Sequence, residues 1–278
     1  MKKTAFLILI SAVLGFIIFF YIGAIFTDNF VEEKTEIILN DRTFPNKNFD
    51  KSILKNIPIN LQSYIESSII DGSEIPNVVI KKITGKLKTD ENSKWFSFKS
   101  NEFSVSNSPD YLSDAKINMN KLFWTRAIES LTNGSGNILI KLLSSVTVSD
   151  ASGKQINQSL LTNYLADAVF YPSALMPSEN LSWSFIDSSC AKATLSFGEL
   201  KVSSKFYFNQ YNEVVKVTSE DKFKTSKLGY QLVPHTVLYS NYKWFGNYKV
   251  PTKVIKQWKV ADSVFTYEKY ELNDFTNN

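Results

Sequence analysis

An apolar stretch near the start of the chain constrains the fold most, because a helix of this composition is not stable alone in water. From Ala5 to Phe26 no charged residue occurs, in AFLILISAVLGFIIFFYIGAIF. At a rise of about 1.5 Å per residue, a helix of this length spans roughly 30 Å, which matches the hydrocarbon core of a bilayer. The sequence therefore predicts a transmembrane helix over residues 5–26.

The charges beside this stretch predict its orientation. Lys2 and Lys3 precede it, and Asp28 is the first of several acidic residues that follow it. The positive-inside rule therefore places residues 1–4 in the cytoplasm as a short stub and the rest of the chain outside. A cleavable secretory signal, which would leave a secreted or periplasmic protein, is the alternative. The length of the stretch and the poor cleavage site at residues 22–24 favour a retained, single-pass anchor.

The rest of the chain divides into a short tether and one large domain. Residues 27–50 are polar, which predicts a tether between the membrane and the domain. Residues 51–278 contain no internal repeat and no Gly/Pro-rich linker, so a single extracytoplasmic domain is the simplest organisation. Hydrophobic residues make up 44% of the chain and aromatic residues 14%, which is enough for a substantial core.

About a dozen short runs rich in β-branched and aromatic residues fill this domain, and Ser, Asn, Asp and Gly separate them. Such runs are typical of a meander of antiparallel strands. Two stretches with helical spacing interrupt them, one after Pro58 and one from Ile156 to Val169. Because a long antiparallel sheet must cover its apolar face, we predict an α+β fold. About two helices would lie on the concave face of a strongly curved, mostly antiparallel half-barrel.

The second helical stretch carries the candidate polar residues. Ser152 and Gln155 have the spacing of a capping box at its start, and Pro172 stops it. Asp167 lies at the edge of the apolar stripe, one turn before Tyr171, a spacing that lets the two side chains meet. The pair can serve the structure through hydrogen bonds or line a pocket between helix and sheet. Partly buried carboxylates usually serve structure, which favours the first interpretation.

Composition argues against several classes of function. The net charge is only +4 and no dense Lys/Arg run occurs, so nucleic acid is not expected as a partner. The single Cys190 excludes an internal disulfide and a Cys-based zinc site, and the single His235 argues against a His-rich metal centre. No phosphate-binding loop or nucleophile elbow is present. We therefore expect no metal, no other cofactor and no enzymatic activity.

The segment from Asn163 to Pro177 resembles the core motif of an uncharacterised bacterial family, in which the pattern R-Y-L-x-E-x-x-W-x-P-x-A-L-[LM]-P is followed by Trp. This chain has NYLADAVFYPSALMP, with Trp183 after it. Asn163 stands where the pattern has Arg, and Asp167 where it has Glu, which weakens any chemistry assigned to an Arg/Glu constellation. The family has no known activity. The resemblance implies a fold like the half-barrel of lipoprotein carriers, which hold acyl chains between a curved sheet and helices.

These features predict a membrane-anchored extracytoplasmic protein that binds a lipid-like or other apolar ligand between sheet and helices. Such a site combines an apolar cavity with a few polar groups. A structural or interaction module of the cell envelope with a packed core is the main alternative, and a hydrolase using Asp167 is a further one. The expected partners are the membrane, through the N-terminal helix, and the ligand. The predicted ligand-binding side chains are Tyr164, Asp167, Tyr171, Trp183, Trp124 and Trp258.

Overall fold

The computed structural model describes residues 2–40, 47–226 and 229–277. These residues form three α-helices, α1 (Lys2–Asn40), α2 (Ile59–Ser68) and α3 (Lys154–Asp167), and three short 3-10 turns, Lys51–Leu54, Ala168–Phe170 and Pro172–Leu175. The fifteen strands are β1 (Val78–Leu87), β2 (Phe96–Val105), β3 (Tyr111–Asn118), β4 (Trp124–Thr132), β5 (Ser135–Leu142), β6 (Val146–Ser152), β7 (Leu181–Asp187), β8 (Cys190–Phe197), β9 (Leu200–Phe208), β10 (Val214–Ser219), β11 (Phe223–Ser226), β12 (Gly229–Leu232), β13 (His235–Phe245), β14 (Tyr248–Val260) and β15 (Ser263–Asn277).

Thirteen of these strands form one antiparallel sheet. Its order is β6-β5-β4-β3-β2-β1-β15-β14-β13-β10-β9-β8-β7, and β11 and β12 form a separate hairpin. The sheet has two halves, one of β1–β6 and one of β7–β10 with β13–β15. They meet where the first strand pairs with the last, for example Lys81 with Phe275. Most neighbouring strands are also sequence neighbours, as short hairpin connections require.

Helices α2 and α3 cover one face of the sheet, which we call the front face. The apolar stripe of α3 packs there, with Ile156, Leu160 and Leu161 fully buried. Leu61 and Ile65 of α2 belong to the same core cluster. The predicted α+β class, the antiparallel sheet and the two packed helices are therefore confirmed.

The strong curvature that a half-barrel requires is not confirmed. The sheet is open, since β6 and β7 stand at its two edges and do not pair with each other. Single-residue irregularities interrupt the pairing on several strands, for example between Lys82 and Ile83 on β1. Such bulges bend a strand locally, but bends at separate places do not close a sheet.

Helix α3 begins differently from the prediction. Ser152 is the last residue of β6 and pairs with Asn137, so its side chain does not cap the helix. Gly153 precedes the first helical residue with a φ of 106°, a backbone conformation that favours glycine. The capping-box prediction was therefore wrong, because the sheet holds Ser152 and the sharp turn falls at the glycine.

The second half of α1 packs on the opposite face of the sheet, which we call the back face. Thr27, Val31 and Ile38 are buried there at helical spacing. Val31 and Ile38 share a core cluster with Val78, Val105, Leu112, Ile128 and Leu139. The prediction that residues 27–50 form a tether is therefore corrected for residues 27–40, which are helical and docked. Residues 41–46, also assigned to the tether, lie outside the described residues.

The first half of α1 contacts little of the domain. Side chains from Phe6 to Phe19 are largely exposed. The helix segment Lys3–Leu39 is long and apolar enough to cross a membrane, and the mean hydropathy of its most apolar part is 2.8. A single helix of this kind near an N-terminus is compatible with an anchor and with a signal sequence.

Candidate functional site

A cavity of about 100 Å³ lies between the front face and the last turns of α3. Its wall is unusual for the interior of a domain because it carries several charged side chains, and we call it the charged cavity. Its polar and charged lining side chains are Ser100, Glu102, Ser104, Tyr111, Ser113, Glu129, Asn163, Tyr164, Asp167, Tyr171, Lys256 and Glu268.

Lys81 of β1 pairs with two carboxylates on one side of this cavity. The Lys81 ammonium donates to Glu102 at 2.8 Å and to Asp167 at 3.0 Å, and it also lies 4.2 Å from the centre of the Phe170 ring. Lys81 is fully buried, whereas the Asp167 side chain keeps about 20% exposure. A buried charge is tolerated only when it is paired and hydrogen-bonded, and Lys81 meets both conditions.

Strand alternation explains why Lys81 faces inward. Val79 and Ile83 flank it two residues away on β1 and belong to the front-face core. Side chains two residues apart on a strand point to the same face, so Lys81 has to point to the front face as well. Its neighbour Lys82 points away and pairs with Asp274 at the surface. The KK pair thus contains one buried and one exposed lysine.

The partners of Lys81 set the protonation states at this point. Burial disfavours the charged lysine, but the Asp167 and Glu102 carboxylates outweigh it and raise the pKa of Lys81 above its ordinary value. Burial favours the neutral acid at Asp167, yet Lys81 and, from further away, Lys256 hold the pKa of Asp167 below its ordinary value. Both groups are therefore charged at neutral pH.

A second ion pair lies across the cavity. Lys256 of β14 contacts Glu268 of β15 at 2.9 Å, and both side chains are mostly buried. Burial opposes the charged lysine, but Glu268 holds the pKa of Lys256 well above its ordinary value. Burial raises the pKa of the nearby Glu129, although Lys256 pulls it in the other direction.

The described residues contain no group of three or more His, Cys, Asp or Glu placed to hold a metal ion.

A third cationic group adjoins this pair. The Lys222 ammonium lies 3.4 Å from His235 Nε2 and 3.4 Å from the Tyr267 hydroxyl, which is itself 2.9 Å from the histidine. The ring centroid of Trp258 lies 4.7 Å from that of His235. Burial and the charge of Lys256 lower the pKa of Lys222 to about 8. Burial and the two lysines lower the pKa of His235 well below its ordinary value.

Tyrosine hydroxyls fasten the end of α3 over the cavity. Tyr171 donates to the Tyr164 carbonyl at 3.0 Å, and Tyr239 donates to the Ala166 carbonyl at 2.8 Å. Tyr64 of α2 donates to the Val169 carbonyl at 3.0 Å. The last carbonyls of a helix lack an intrahelical partner, and the Tyr239 hydroxyl supplies one at Ala166. The Tyr164 carbonyl already accepts from the Ala168 N–H and gains a second donor. The tyrosines of this region therefore have a structural role.

A larger cleft lies beyond the same C-terminal end of α3, with a volume of about 680 Å³, and we call it the distal cleft. It runs between the turn after α3, the β2–β3 loop and the segment before α2. Its apolar lining consists of Ile53, Ile75, Pro109, Ala174, Met176, Pro177, Leu181 and Leu195. Tyr164 lines both the distal cleft and the charged cavity, so one aromatic ring separates the two spaces.

Two hydroxyls in the distal cleft have no hydrogen-bond partner within the described part of the chain. They are Ser106 Oγ and Ser173 Oγ, and both atoms are buried. Leaving a buried polar atom unpaired costs about 1–3 kcal/mol, so such atoms are rare in folded proteins. Ser106 and Ser173 line the distal cleft, but these two oxygens lie beneath its wall with almost no surface open to it.

The structure brings together only part of the predicted site. Tyr164, Asp167 and Tyr171 all line the charged cavity, and Trp258 lies beside it against His235. Trp183 instead donates to the Leu175 carbonyl at 3.1 Å and packs its ring on Phe206. A ligand-binding role for these residues stays a prediction.

Trp124 lies away from both spaces, because it points to the same side of β4 as Arg126, toward the back face. Its indole nitrogen donates to Ser144 Oγ at 3.3 Å, and Lys116 lies over its ring. It therefore lines neither the charged cavity nor the distal cleft.

Apart from Asp167, the charged residues of the cavity are absent from the predicted site, although the sequence contains a signal for them. Glu102 and Glu129 each lie two residues from an inward-facing side chain, as Lys256 does between Val254 and Trp258. A charge in phase with the apolar positions of a strand indicates a buried charge. Several such charges on neighbouring strands indicate a cluster.

The molecule so described is an open antiparallel sheet with two helices on its front face and a charged cavity between the layers. Residues 47–270 match a family of unknown function, DUF6544, and the chain belongs to this family. The predicted membership of an uncharacterised family is thereby confirmed. A search among curated proteins gives no match.

Several solved structures are similar to this chain at low identity. One, described as an outer membrane lipoprotein-sorting protein domain from Vibrio parahaemolyticus, is 11% identical, with a TM-score of 0.41 over 72% of this chain and 85% of that one. A LolA superfamily protein from Nitrosomonas europaea is 12% identical, with a TM-score of 0.43 over 79% and 92%. A DUF1329 family protein from Desulfovibrio piger is 8% identical, with a TM-score of 0.42 over 79% and 92%.

Proposed function

We propose that this protein is a membrane-anchored extracytoplasmic protein that binds a small amphiphilic, lipid-like ligand in the distal cleft. The observation that carries the proposal is the cleft itself, whose volume of about 680 Å³ falls within the roughly 300–1,000 Å³ typical of ligand sites. The proposed orientation of the protein in the membrane follows the positive-inside rule, with Lys2 and Lys3 in the cytoplasm.

The lining of the distal cleft supports an amphiphile. Met176, Leu181 and Leu195 offer apolar contact, and the exposed side chains of Lys47 and Asn107 offer hydrogen bonds to a polar group. Binding sites of this kind combine apolar walls with a few polar groups that fix the orientation of the ligand.

The charged cavity is a poorer place for an apolar ligand than the prediction from the sequence assumed. Its volume of about 100 Å³ is below the range of ligand sites, and charged side chains line it. An acyl chain placed there would displace water from Glu102 and Glu129 without replacing their hydrogen bonds. We therefore place the ligand in the distal cleft and not in the space beside Asp167.

The structure gives no support to Asp167 as a catalytic acid. A general acid needs a pKa raised toward the working pH, whereas Lys81 keeps the pKa of Asp167 below its ordinary value. Its hydrogen-bond partner is already the Lys81 ammonium at 3.0 Å. We therefore do not assign Asp167 the role of general acid in a hydrolase.

The test is to identify what the full-length chain carries in its native source. The protein is extracted in detergent, transferred to a lipid-free amphipathic polymer and denatured, and released small molecules are quantified by mass spectrometry. Ala174→Trp fills the distal cleft from a partly buried position. We expect wild type to release one stoichiometric amphiphile and Ala174→Trp to release little of it.

Ser184→Trp is the matched control, since Ser184 lies exposed on β7 outside the cleft. This variant should carry the same amount of ligand as wild type. An empty wild-type protein, or equal amounts in the Ala174→Trp and Ser184→Trp variants, would overturn the proposal and favour a packed envelope module.

A further inference from the structure

Helix α1 contacts the domain while still within its apolar stretch. Ser145, in the turn between β5 and β6, donates to the Phe20 carbonyl at 2.8 Å. A Cβ atom built on Gly23 would lie 2.5 Å from the Ser145 Cβ, so a side chain there would collide with the turn. The β5–β6 turn therefore lies directly against α1 inside the segment predicted to cross the membrane.

Two further contacts fix the direction of the domain along α1. Thr27 Oγ1 donates to the Ser144 carbonyl at 2.6 Å, and Asp28 forms an ion pair with Arg126. Further along, Ile38 packs in the cluster that contains Val78 and Val105. These two residues pair with each other at the end of the sheet opposite the β5–β6 turn. The helix thus runs across the back face away from the β5–β6 turn, and this turn is the part of the sheet nearest the bilayer.

The position along the helix gives an approximate depth. Phe20 and Gly23 lie three to six residues before Phe26, the last residue of the apolar stretch. At about 1.5 Å per residue, the contact with Ser145 lies roughly 5–9 Å inside that stretch. This is the depth at which interfacial protein segments bury apolar side chains, about 5–10 Å into the boundary between headgroups and acyl chains.

The neighbouring loop at the same end of the sheet carries exposed apolar side chains. Thr125 pairs with Leu142, so the β3–β4 loop, residues 119–123, lies beside the β5–β6 turn. Leu122 is 76% exposed and Phe123 is 45% exposed. Single exposed apolar residues are common on soluble proteins, but these are adjacent and lie beside a membrane helix.

The surroundings of this loop match the usual composition of a membrane interface. Trp124 follows Phe123 and is only partly buried, and Trp is enriched where protein meets the headgroup layer. Lys121 and Lys116 are exposed beside it and add positive charge, which anionic lipids attract. Trp124, which lines neither ligand space, has a location here that accounts for its exposure.

We propose that the β3–β4 loop is a second membrane contact, with Leu122 and Phe123 inserted into the extracytoplasmic leaflet and Trp124 at the headgroup level. The contact holds the strands at a steep angle to the membrane plane. The β3–β4 loop and the β5–β6 turn then lie at the bilayer, and the distal cleft lies at the far end of the domain. This inference rests on α1 crossing the bilayer, as proposed above.

The test uses single cysteines in the full-length chain. The only native cysteine, Cys190, is buried and is replaced with Ala. Leu122→Cys, Leu14→Cys and Tyr211→Cys variants are labelled with an environment-sensitive fluorophore in nanodiscs of phosphatidylethanolamine and phosphatidylglycerol. Tyr211 is the matched control, because it is 66% exposed and lies in the β9–β10 turn at the opposite end of the sheet.

We expect the label at Leu122 to shift to shorter wavelength and to be quenched by lipids with a nitroxide on the acyl chain. The label at Leu14 should be quenched as well, whereas the label at Tyr211 should not. Quenching at Leu14 with none at Leu122 would overturn the loop contact and leave the anchor in place. No quenching at Leu14 would overturn both, because α1 would then not cross the bilayer.

Discussion

Lys81 places a full positive charge inside the domain, and its two carboxylate partners make this possible. Breaking a buried ion pair by removing one partner costs more than replacing the whole group, because it leaves charges buried without compensation. Glu102 and Asp167 would be left facing each other around an empty site if Lys81 lost its charge. The network is therefore a point at which a single substitution has a large effect.

The variant Lys81→Met tests this argument. We expect it to lower the free energy of unfolding by about 3–5 kcal/mol, since two mostly buried carboxylates lose their counter-ion. The measurement is chemical unfolding of the full chain in detergent, followed by tryptophan fluorescence. Adding Glu102→Gln and Asp167→Asn to Lys81→Met should recover most of the loss. A triple variant no more stable than Lys81→Met would show that lost charge pairing is not the cause.

The buried Lys222 makes the stability of the fold depend on pH, with a sign opposite to that expected for a lysine in an ion pair. Its pKa is lowered to about 8 in the folded protein and is near 10.5 in the unfolded chain. Between these values the unfolded chain binds more protons, so stability rises with pH. We expect the free energy of unfolding, measured at each pH by chemical unfolding, to increase between pH 7 and 9.5 by on the order of 1–2 kcal/mol.

In Lys222→Met this rise should disappear, and the variant should be more stable than wild type at pH 7. Lys224→Met removes a lysine two residues away and serves as the control, with the wild-type rise retained. A rise that persists in Lys222→Met would assign the pH dependence to another group.

At the scale of single residues, the sequence predicts which side chains lie near the end of α3 but not their partners. Tyr164, Asp167 and Tyr171 were found from local helical spacing, which a short segment determines by itself. The Lys81–Asp167 pair joins residues far apart in the chain, so no local pattern indicates it. The phase of Lys81 on its strand predicts that it is buried, and the identity of its partner requires the fold.

At the scale of elements, α1 combines two environments in one continuous helix. Its first half is apolar on all sides, as a membrane-spanning helix is, whereas its second half buries one narrow stripe. Residues 27–40 were predicted to be a tether because they are polar on average. The spacing of Thr27, Val31 and Ile38 nevertheless indicates a helix with one packed face.

Docking of α1 on the back face predicts unequal effects at two adjacent residues. Ile38 is almost fully buried, and Leu39 is about 41% exposed. We expect Ile38→Ala to lower the free energy of unfolding by about 2–4 kcal/mol through lost burial and a cavity. Leu39→Ala should change it by less than about 0.5 kcal/mol. Equal effects of the two substitutions, measured by chemical unfolding of the full chain, would mean that the helix end does not pack on the sheet.

At the scale of the whole molecule, the class of the fold was predictable, but its shape was not. Antiparallel strands and two packed helices follow from alternation and periodicity, which are local. The curvature depends on how thirteen strands accumulate twist and bulges, and the distal cleft depends on how three separate loops meet. These properties arise from pairing over long distances in the chain, which a single sequence does not display.

If the domain is exported as proposed above, the pairing of β1 with β15 has a consequence for its synthesis. Translocation delivers residues in order from the N-terminus, so β15 is the last strand to arrive and the centre of the sheet forms at the end. Until then β1 has an unpaired edge and Lys81 lacks Asp167 for as long as α3 is still inside the channel. Unpaired edges and exposed apolar faces favour aggregation in partly folded chains. The N-terminal half of an exported chain would therefore pass through a vulnerable interval. An α1 anchored in the membrane, as proposed above, would then keep it at a fixed place near the channel and limit its encounters with other chains.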